Sequence, residues 1–232
     1  MMEDLKSCGT DSSNIKVAGW QGLSLIDYPG KMSAVIFLAG CNMRCHYCHN
    51  RQILDTSKNV LSFEKVLELL RQRLGWLDGV VVTGGEPTMS LELIPILRAL
   101  RSLGLLIKLD TNGTRPDVVK QVVDLKLVDY VALDVKAPAA KHISITGLPI
   151  SAVLNTVRYL KTQNSVPYML RTTLSPRLNQ QDLIEIGKKI VNGAPFWQIQ
   201  QCRIQGAYSG VEIQKMTTCL KKYALDVVVV GV

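Results

Sequence analysis

The chain has 232 residues, of which 47% are hydrophobic and 6% aromatic, and its formal net charge is +8. Its longest apolar runs are far shorter than the ~20 residues of a membrane-spanning helix, so no membrane partner is predicted. The basic residues are scattered along the chain, which predicts a solvated surface with no nucleic-acid partner; such a surface would also suit an acidic protein or an anionic ligand.

The N-terminal segment, residues 1–14, contains acidic residues and no apolar stretch, so we predict a flexible leader without an export signal. Residues 15–232 show no low-complexity stretch and no shift in composition, which predicts a single domain with a short C-terminal extension. A cytoplasmic location is expected by default. Because disulfides are disfavoured in a reducing compartment, the cysteines are expected to bind metal, to react or to remain free.

Seven apolar runs rich in β-branched residues predict buried strands, because they are nearly continuous and do not alternate with polar residues. In chain order they cover residues 34–38, 80–83, 105–109, 130–133, 168–173, 196–199 and 225–230. Segments of helical period separate them, with predicted N-caps at Ser62, Ser151 and Asn179. This alternation predicts an α/β fold with a parallel sheet. The last run could close a barrel or lie at the edge of the sheet.

Polar side chains follow the predicted strands at the points where the strands end. They lie in residues 41–48, 84–87, 110–113 and 134–136, at Arg171, and at Gln200 and Gln201. Because the carboxyl ends of parallel strands share one rim, which carries the active site in such folds, we expect these groups to meet. Each segment alone is equally typical of a turn or a charged surface. Their joint placement predicts a functional site.

Three of the cysteines, Cys41, Cys45 and Cys48, lie close together in one predicted loop. Soft thiolates at this spacing bind zinc or an iron–sulfur cluster. A structural zinc site needs a fourth ligand, which His46 or His49 could supply. A cluster held by three cysteines would leave one iron with an open position, as a catalytic centre requires. The other cysteines are dispersed and predicted to be free thiols: Cys8, Cys202 and Cys219.

The loop resembles the cluster motif of radical S-adenosylmethionine (SAM) enzymes, CxxxCxYC, with an aromatic residue before the last cysteine. The segment GGEP, residues 84–87, resembles the element of that superfamily that receives the amino group of SAM. The likeness covers about residues 15–205 and extends to the activating proteins of anaerobic ribonucleoside-triphosphate reductase and related glycyl-radical-enzyme activases. The segments that carry it, in order, are LIDYPGKMSAVIFLAGCNMRCHYCHN, DGVVVTGGEP, KLDTNGTRPD, VDYVALDVKAP, LRTTLSP and QIQQC.

This resemblance implies a partial (β/α)6 barrel of the TIM type with parallel strands and a [4Fe-4S] cluster at its carboxyl rim. It implies an oxidoreductase that cleaves SAM to a 5′-deoxyadenosyl radical, which removes a hydrogen from a glycine of a glycyl-radical enzyme. Anaerobic ribonucleoside-triphosphate reductase is the expected partner, and a flavodoxin or ferredoxin is the expected electron donor. The cofactors supply the chemistry, while the protein binds, orients and shields them.

The resemblance also assigns roles to residues. The catalytic cysteines Cys41, Cys45 and Cys48 are expected to bind the cluster irons, and Tyr47 to border the adenine. SAM contacts are expected from Gly84, Gly85, Glu86, Asp110, Asn112, Asp134, Lys136 and Arg171, with Glu86 as the acceptor for the amino group. A monovalent cation beside the SAM carboxylate is expected to bind Asp110, Thr111 and Asp134.

Two alternatives remain open on the sequence. A radical SAM enzyme could act on a small molecule or another non-glycyl substrate, because the residues assigned above bind the cofactor and do not select a substrate. A non-catalytic zinc module could use Cys41, Cys45, Cys48 and His49, but it would leave the polar residues of the other strands unexplained. In the activase interpretation His46 and His49 pack or form hydrogen bonds near the cluster without binding iron. His142 is predicted to lie at the surface or in a loop.

Overall fold

The strands and helices are those of a computed structural model, which describes residues 15–203 and 208–230. The strands are β1 (Lys16–Val17), β2 (Gly19–Ser24), β3 (Ser33–Leu38), β4 (Leu61–Ser62), β5 (Gly79–Gly84), β6 (Leu106–Thr111), β7 (Tyr130–Asp134), β8 (Tyr168–Leu174), β9 (Ala194–Gln201) and β10 (Ala224–Val230). The helices are α1 (Phe63–Arg71), α2 (Leu93–Ser102), α3 (Pro116–Asp124), α4 (Ala139–Thr146), α5 (Ser151–Thr162), α6 (Gln180–Ile186) and α7 (Gly210–Thr217). The predicted leader and Cys8 lie outside the described residues.

Eight strands form one sheet in the order β10-β9-β8-β7-β6-β5-β3-β2. All the strands from β3 to β10 in this sheet are parallel, and β2 is antiparallel to β3. The predicted α/β fold with parallel strands is therefore confirmed. Within the described part of the chain β2 and β10 do not pair, so the barrel is open on that side. The small pair of β1 and β4 and the antiparallel β2 were not predicted.

The last strand, β10, lies at the edge of the sheet and pairs only with β9 among the described strands. This resolves the choice between barrel closure and edge pairing. The prediction that all seven runs are buried on both faces is wrong for β10, whose residue Leu225 is 87% exposed. An edge strand has a neighbour on one side only, so an apolar run can remain accessible there.

The helix N-termini show which predicted caps are correct. The Ser62 hydroxyl accepts the N–H three residues further on, at 3.5 Å, and caps α1. Asn179 and Asp182 form a reciprocal capping box before α6, with N···O distances of 3.0 and 2.8 Å. The prediction for Ser151 is wrong by one position: Ile150 precedes α5, and no side chain caps that helix.

The predicted surface position of His142 is also wrong. This residue lies on the inner face of α4 and is fully buried. Its Nδ1 hydrogen bonds to the carbonyl oxygen of Leu148 at 2.7 Å, and burial lowers the pKa of the imidazole. The local pattern around this histidine did not show which face of α4 packs against the sheet. No helix in residues 15–203 or 208–230 is long and apolar enough to cross a bilayer.

Candidate active site

The carboxyl ends of five neighbouring strands, β3, β5, β6, β7 and β8, surround one cavity of about 170 Å³. Every residue predicted to contact the cluster, SAM or the cation lines it. These residues are Cys41, Cys45, Tyr47, Cys48, Gly84, Gly85, Glu86, Asp110, Thr111, Asn112, Asp134, Lys136 and Arg171. The wall also contains Met43, His49, Asn50, Leu54, Thr83, Thr173 and Gln200. The parallel sheet thus brings together segments that are far apart in the sequence.

The loop after β3 carries the three thiols of the motif. Cys41, Cys45 and Cys48 are free of disulfides and partly buried. Burial raises the pKa of the Cys41 and Cys45 thiols, so the protein alone favours their neutral forms. Bound iron would stabilise the thiolates, because metal ligation displaces the thiol protons. The residues present therefore fit a cluster held by three cysteines.

The zinc alternative requires three thiols and one imidazole around a single ion. Among the described residues, no group of three or more His, Cys, Asp or Glu side chains is arranged to hold a metal ion. Both ring nitrogens of His46 are buried and have no hydrogen-bond partner among the described residues. The ring packs edge-on against Tyr47. His49 is exposed. The geometry does not favour zinc, whereas a cluster binds each thiolate through a different iron.

The turn after β5 packs directly against the start of the cysteine loop. The N–H of Gly85 donates to the carbonyl of Leu38 at 2.8 Å, and that of Glu86 donates to the carbonyl of Gly40 at 2.7 Å. A Cβ at Gly85 would lie 2.1 Å from the Gly40 oxygen, and one at Gly84 would lie 2.3 Å from the Leu38 oxygen. Both glycines are therefore required by the close approach of two backbones.

The carboxylate of Glu86 is buried and accepts four hydrogen bonds from the protein. Its Oε1 accepts from the N–H and hydroxyl of Thr88, at 3.1 and 2.5 Å, and from the Thr111 hydroxyl at 2.7 Å. Its Oε2 accepts from the N–H of Asn112 at 2.5 Å. Burial raises the pKa of Glu86 in spite of these donors. In this arrangement Glu86 joins the end of β5 to the end of β6, and its role as acceptor for SAM stays a prediction.

A continuous network of charges lines the side of the cavity formed by β6, β7 and β8. Arg171 donates through Nε to Asp134 at 2.6 Å and through Nη1 to Asp110 at 3.0 Å. Lys136 donates to Asp134 at 3.0 Å, and Lys108 pairs with Asp110. Lys108 is 2% exposed and was not among the predicted site residues. Its one signal was a position two residues before Asp110, which puts both side chains on the same face of β6.

The network determines the charge states of its members. Burial alone would raise the pKa of Asp134, but Arg171 and Lys136 hold it well below its usual range. Burial would lower the pKa of Lys136, but Asp134 raises it. Asp134 and Lys136 are therefore ionised at neutral pH, and Arg171 lies between Asp110 and Asp134. Among the described residues, Lys136 and Arg171 are the two cationic side chains in the wall, and their N–H groups suit an anionic group such as the carboxylate of SAM.

Asn112 links the end of β6 to the cysteine loop. Its Nδ2 donates to Asn42 Oδ1 at 3.0 Å and to Cys41 Sγ at 3.9 Å. Its Oδ1 accepts from the N–H and hydroxyl of Thr114, at 3.0 and 2.6 Å. The side chain thus supports a residue predicted to bind the cluster. Its predicted contact with SAM is not tested by these bonds.

The residues predicted to bind a monovalent cation have other partners in the structure. Arg171 contacts both Asp110 and Asp134, and the hydroxyl of Thr111 donates to Glu86. All three predicted ligands line the cavity, but positively charged side chains already satisfy the two carboxylates. The cation site stays a prediction.

Tyr47 combines burial with an unused polar atom. Its side chain is 4% exposed, and its hydroxyl has no hydrogen-bond partner among the described residues. The Nζ of Lys136 lies 6.0 Å from the ring centroid. Buried hydroxyls normally have a partner, so this oxygen is an exception among the buried polar atoms of the site.

A second, wider cavity of about 780 Å³ adjoins the first on the open side of the barrel. The two cavities share His49, Arg171 and Gln200. The wider one extends from Lys108 to Ile26 in the loop after β2 and includes Val230 at the end of β10. It therefore lies beside the candidate active site, against the same arginine.

Comparison with known proteins identifies the class to which this fold and site belong. The Radical SAM superfamily model matches residues 35–190, so the chain belongs to this superfamily of enzymes. Its members use a [4Fe-4S] cluster and SAM. The crystal structure of Streptococcus suis SuiB bound to precursor peptide SuiA has a similar fold, with a TM-score of 0.71 and 16% identity. The match covers 85% of this chain and 48% of SuiB, so the chain spans about half the length of that protein.

Two sequence relatives place the chain within the glycyl-radical-enzyme activase family. One relative is a protein of Methanocaldococcus jannaschii named as a glycyl-radical enzyme activating enzyme. The two sequences are 34% identical over 229 residues, and the match covers 92% of this chain and 95% of the relative. The pyruvate formate-lyase-activating enzyme of Staphylococcus aureus is 33% identical over 186 residues, covering 73% of each. A domain of a pyruvate-formate lyase-activating enzyme from Bacteroides vulgatus has a TM-score of 0.55 and 21% identity, covering 66% of this chain and 99% of that domain.

Proposed function

We propose that this protein generates a radical on a glycine of a glycyl-radical enzyme, and that its partner is anaerobic ribonucleoside-triphosphate reductase. The observation that carries the proposal is the single cavity in which three free thiols face the charge network of Asp110, Asp134 and Arg171. Thiols of this kind suit an iron–sulfur cluster, and the network suits an amino acid ligand. The match in order and spacing of the segments supports the choice of partner.

The residues of the chain divide the work of binding and orienting. Cys41, Cys45 and Cys48 would hold the cluster, which when reduced supplies the electron that splits SAM. Lys136 and Arg171 would attract the carboxylate of SAM, while the backbone at Gly84 and Gly85 keeps the cysteine loop against β5. The protein positions and shields the reactants, and the cofactors carry out the chemistry.

A protein substrate is favoured by the open side of the barrel. The cavity of about 780 Å³ connects the charge network at Arg171 with the loop around Ile26. A polypeptide loop that carries a glycine can enter such an opening, whereas an enzyme for a small molecule usually encloses its substrate. The radical SAM alternative with a small substrate is therefore the weaker one.

Anaerobic reconstitution tests the cluster and SAM chemistry. We expect about four irons per chain, and cleavage of SAM by the reduced protein. The substitution Cys45→Ser should abolish cleavage, whereas the matched control Cys219→Ser, at an exposed thiol outside the cavity, should leave it unchanged. Intact SAM after incubation of the reduced wild-type protein would refute the proposal.

A second experiment tests the partner. The reduced protein and SAM are incubated with anaerobic ribonucleoside-triphosphate reductase or, separately, with pyruvate formate-lyase. Electron paramagnetic resonance then measures the glycyl doublet. We expect the doublet on the reductase; a signal only on the lyase would contradict the choice of partner, and no signal on either would contradict the activase function.

A further inference from the structure

Three exposed arginines surround the outer side of the cysteine loop. Arg44 donates through Nη1 to the carbonyl oxygens of Cys41 and Met43, at 2.6 and 2.9 Å. Arg51 donates to the carbonyl of His46. Because these bonds are made to loop carbonyls, the guanidinium groups lie beside the backbone that carries the candidate cluster ligands.

Arg177 lies beside the end of α4, which contacts the same loop. Its Nη1 donates to the carbonyl of Ser144 at 3.3 Å, in the last turn of α4. The backbone N–H of Arg44 donates to the carbonyl of Thr146 in that turn at 2.8 Å. We name Arg44, Arg51 and Arg177 the arginine face.

The arginine face carries more positive than negative charge. None of its three members forms an ion pair with a carboxylate in the described part of the chain. In contrast, Arg101 pairs with Asp129 at 2.9 Å, and Arg115 with Asp117 at 3.3 Å. Unpaired exposed cations raise the local potential and attract an acidic partner.

Apolar surface lies next to these charges. A shallow hollow beside the loop is lined by Cys41, Arg44, Leu54 and Met89, and Met89 is 40% exposed. Asp55 also lines the hollow, where its carboxylate accepts from the backbone N–H of Ser57 and contributes one negative charge beside Arg44. An apolar centre with a charged rim is the usual composition of a small, transient protein interface.

We propose that the arginine face and the adjoining hollow are the docking surface for an acidic one-electron carrier protein. This inference rests on the proposed function, because that function requires an electron to reach the cluster from outside. The carrier loses one electron, and the cluster held by Cys41, Cys45 and Cys48 would gain it; no bond forms or breaks. Contact at this surface places the carrier against the backbone of the cluster ligands, so the electron has a short path.

Charge and structural roles are separated by the choice of variants. R44Q/R51Q/R177Q removes three positive charges, whereas R44K/R51K/R177K keeps them and loses the planar guanidinium groups. The matched control R98Q/K188Q/K221Q removes three exposed cations that form no ion pair in the described residues and lie outside the loop and the end of α4. Both glutamine variants have the same net charge, so a general change in the field of the protein affects them equally.

The experiment measures binding of an acidic flavodoxin to the reconstituted protein by titration calorimetry at low ionic strength. We expect Kd to rise at least about tenfold in R44Q/R51Q/R177Q, with a weaker dependence on salt, and to change little in the lysine variant and the control. Equal Kd values in wild type and R44Q/R51Q/R177Q would overturn the proposal, as would equal losses in that variant and the control. If the lysine variant binds as weakly as R44Q/R51Q/R177Q, the arginines act through loop structure and the docking proposal is also overturned.

A chemical reductant distinguishes failure of the docking proposal from failure of the proposed function. With dithionite in place of the flavodoxin, R44Q/R51Q/R177Q and R44K/R51K/R177K should cleave SAM at the same rate, because both lose the guanidinium bonds to the loop and a small reductant needs no docking surface. Absence of cleavage in the wild type would contradict the proposed function. Normal wild-type cleavage together with unchanged flavodoxin binding in R44Q/R51Q/R177Q would contradict only the docking surface.

Discussion

The two sides of the candidate active site are built in different ways. The side formed by β3 and β5 relies on close backbone contact, in which Gly85 leaves no space for a side chain beside Gly40. The side formed by β6, β7 and β8 relies on charged side chains, in which Arg171 joins Asp110 to Asp134. The first side suits a compact cluster whose ligands require fixed positions, and the second suits a polar organic ligand.

The two sides therefore tolerate different substitutions. Backbone contact depends on shape, so added volume is its main risk, and charge is of little importance. A buried ion-pair network depends on balance, because removal of one member leaves its partners buried and unpaired. Substitutions that change only volume or only charge should therefore separate the two sides.

The largest effect on stability is expected on the charged side. Asp134→Asn leaves Arg171 and Lys136 without their shared carboxylate, and we expect a loss of about 3 kcal/mol in the free energy of unfolding. Urea denaturation of cluster-free protein measures it. The control Asp117→Asn removes an exposed pair with Arg115 and should cost under about 1 kcal/mol. Similar losses in the two variants would show that the network is not specially important.

The second effect is expected on the backbone side and concerns activity. In Gly85→Ala the new methyl group would meet the Gly40 carbonyl and push the cysteine loop outward. Because a displacement of about 1 Å near reacting groups can cost a hundredfold, we expect SAM cleavage to fall about a hundredfold. Rates and iron content after reconstitution check this result. The control Gly19→Ala has open space around its Cβ and should behave as wild type; normal cleavage by Gly85→Ala would refute the close fit.

The third prediction concerns pH and the charged side alone. The pKa of Asp134 is lowered in the folded protein, so its stabilisation is complete above the unfolded value of about 3.9 and is lost as pH falls towards the folded value. The difference in unfolding free energy between wild type and Asp134→Asn should be constant from pH 7 to 5 and smaller at pH 3. The expected slope is at most about 1.4 kcal/mol per pH unit. A difference that persists unchanged at pH 3 would contradict the assignment.

The smallest effect is expected where the two sides meet. Asn112→Ala removes the bonds to Asn42 and to the sulfur of Cys41, and we expect a loss of about 1 kcal/mol in stability. The reduction potential of the cluster should also become more negative, because one donor to a ligand sulfur is lost. Denaturation and potentiometric titration measure the two effects. The exposed residue Asn155 provides the control, Asn155→Ala, for which neither should change.

The fold class could be predicted because the hydrophobic pattern of each segment is visible in the sequence, and the alternation of strands and helices determines the direction of the strands. Continuous apolar runs separated by helices require parallel strands, and parallel strands bring their carboxyl ends to one rim. For that reason the gathering of Cys41, Glu86 and Asp110 in one cavity could be predicted without coordinates. The cap at Ser62 could also be predicted, because capping depends on a few adjacent residues.

The partners of side chains could not be predicted, because they depend on distances between strands and on burial. The sequence indicated Glu86 as an acceptor for a ligand, but the fold surrounds its carboxylate with four protein donors. It indicated no role for Lys108, which becomes a buried partner of Asp110. Packing likewise decided two further features: His142 lies on the buried face of α4, and β10 lies at the exposed edge of the sheet.

By itself the sequence thus determined the order of the strands along the chain, the cysteine loop and the set of residues at the rim. Only the tertiary structure decided how that rim divides into a side of backbone contact and a side of paired charges. The physical reason is that the hydrophobic period of a segment shows which of its faces is buried. Hydrogen bonds and ion pairs between segments form only when the fold brings their donor and acceptor atoms within about 3 Å.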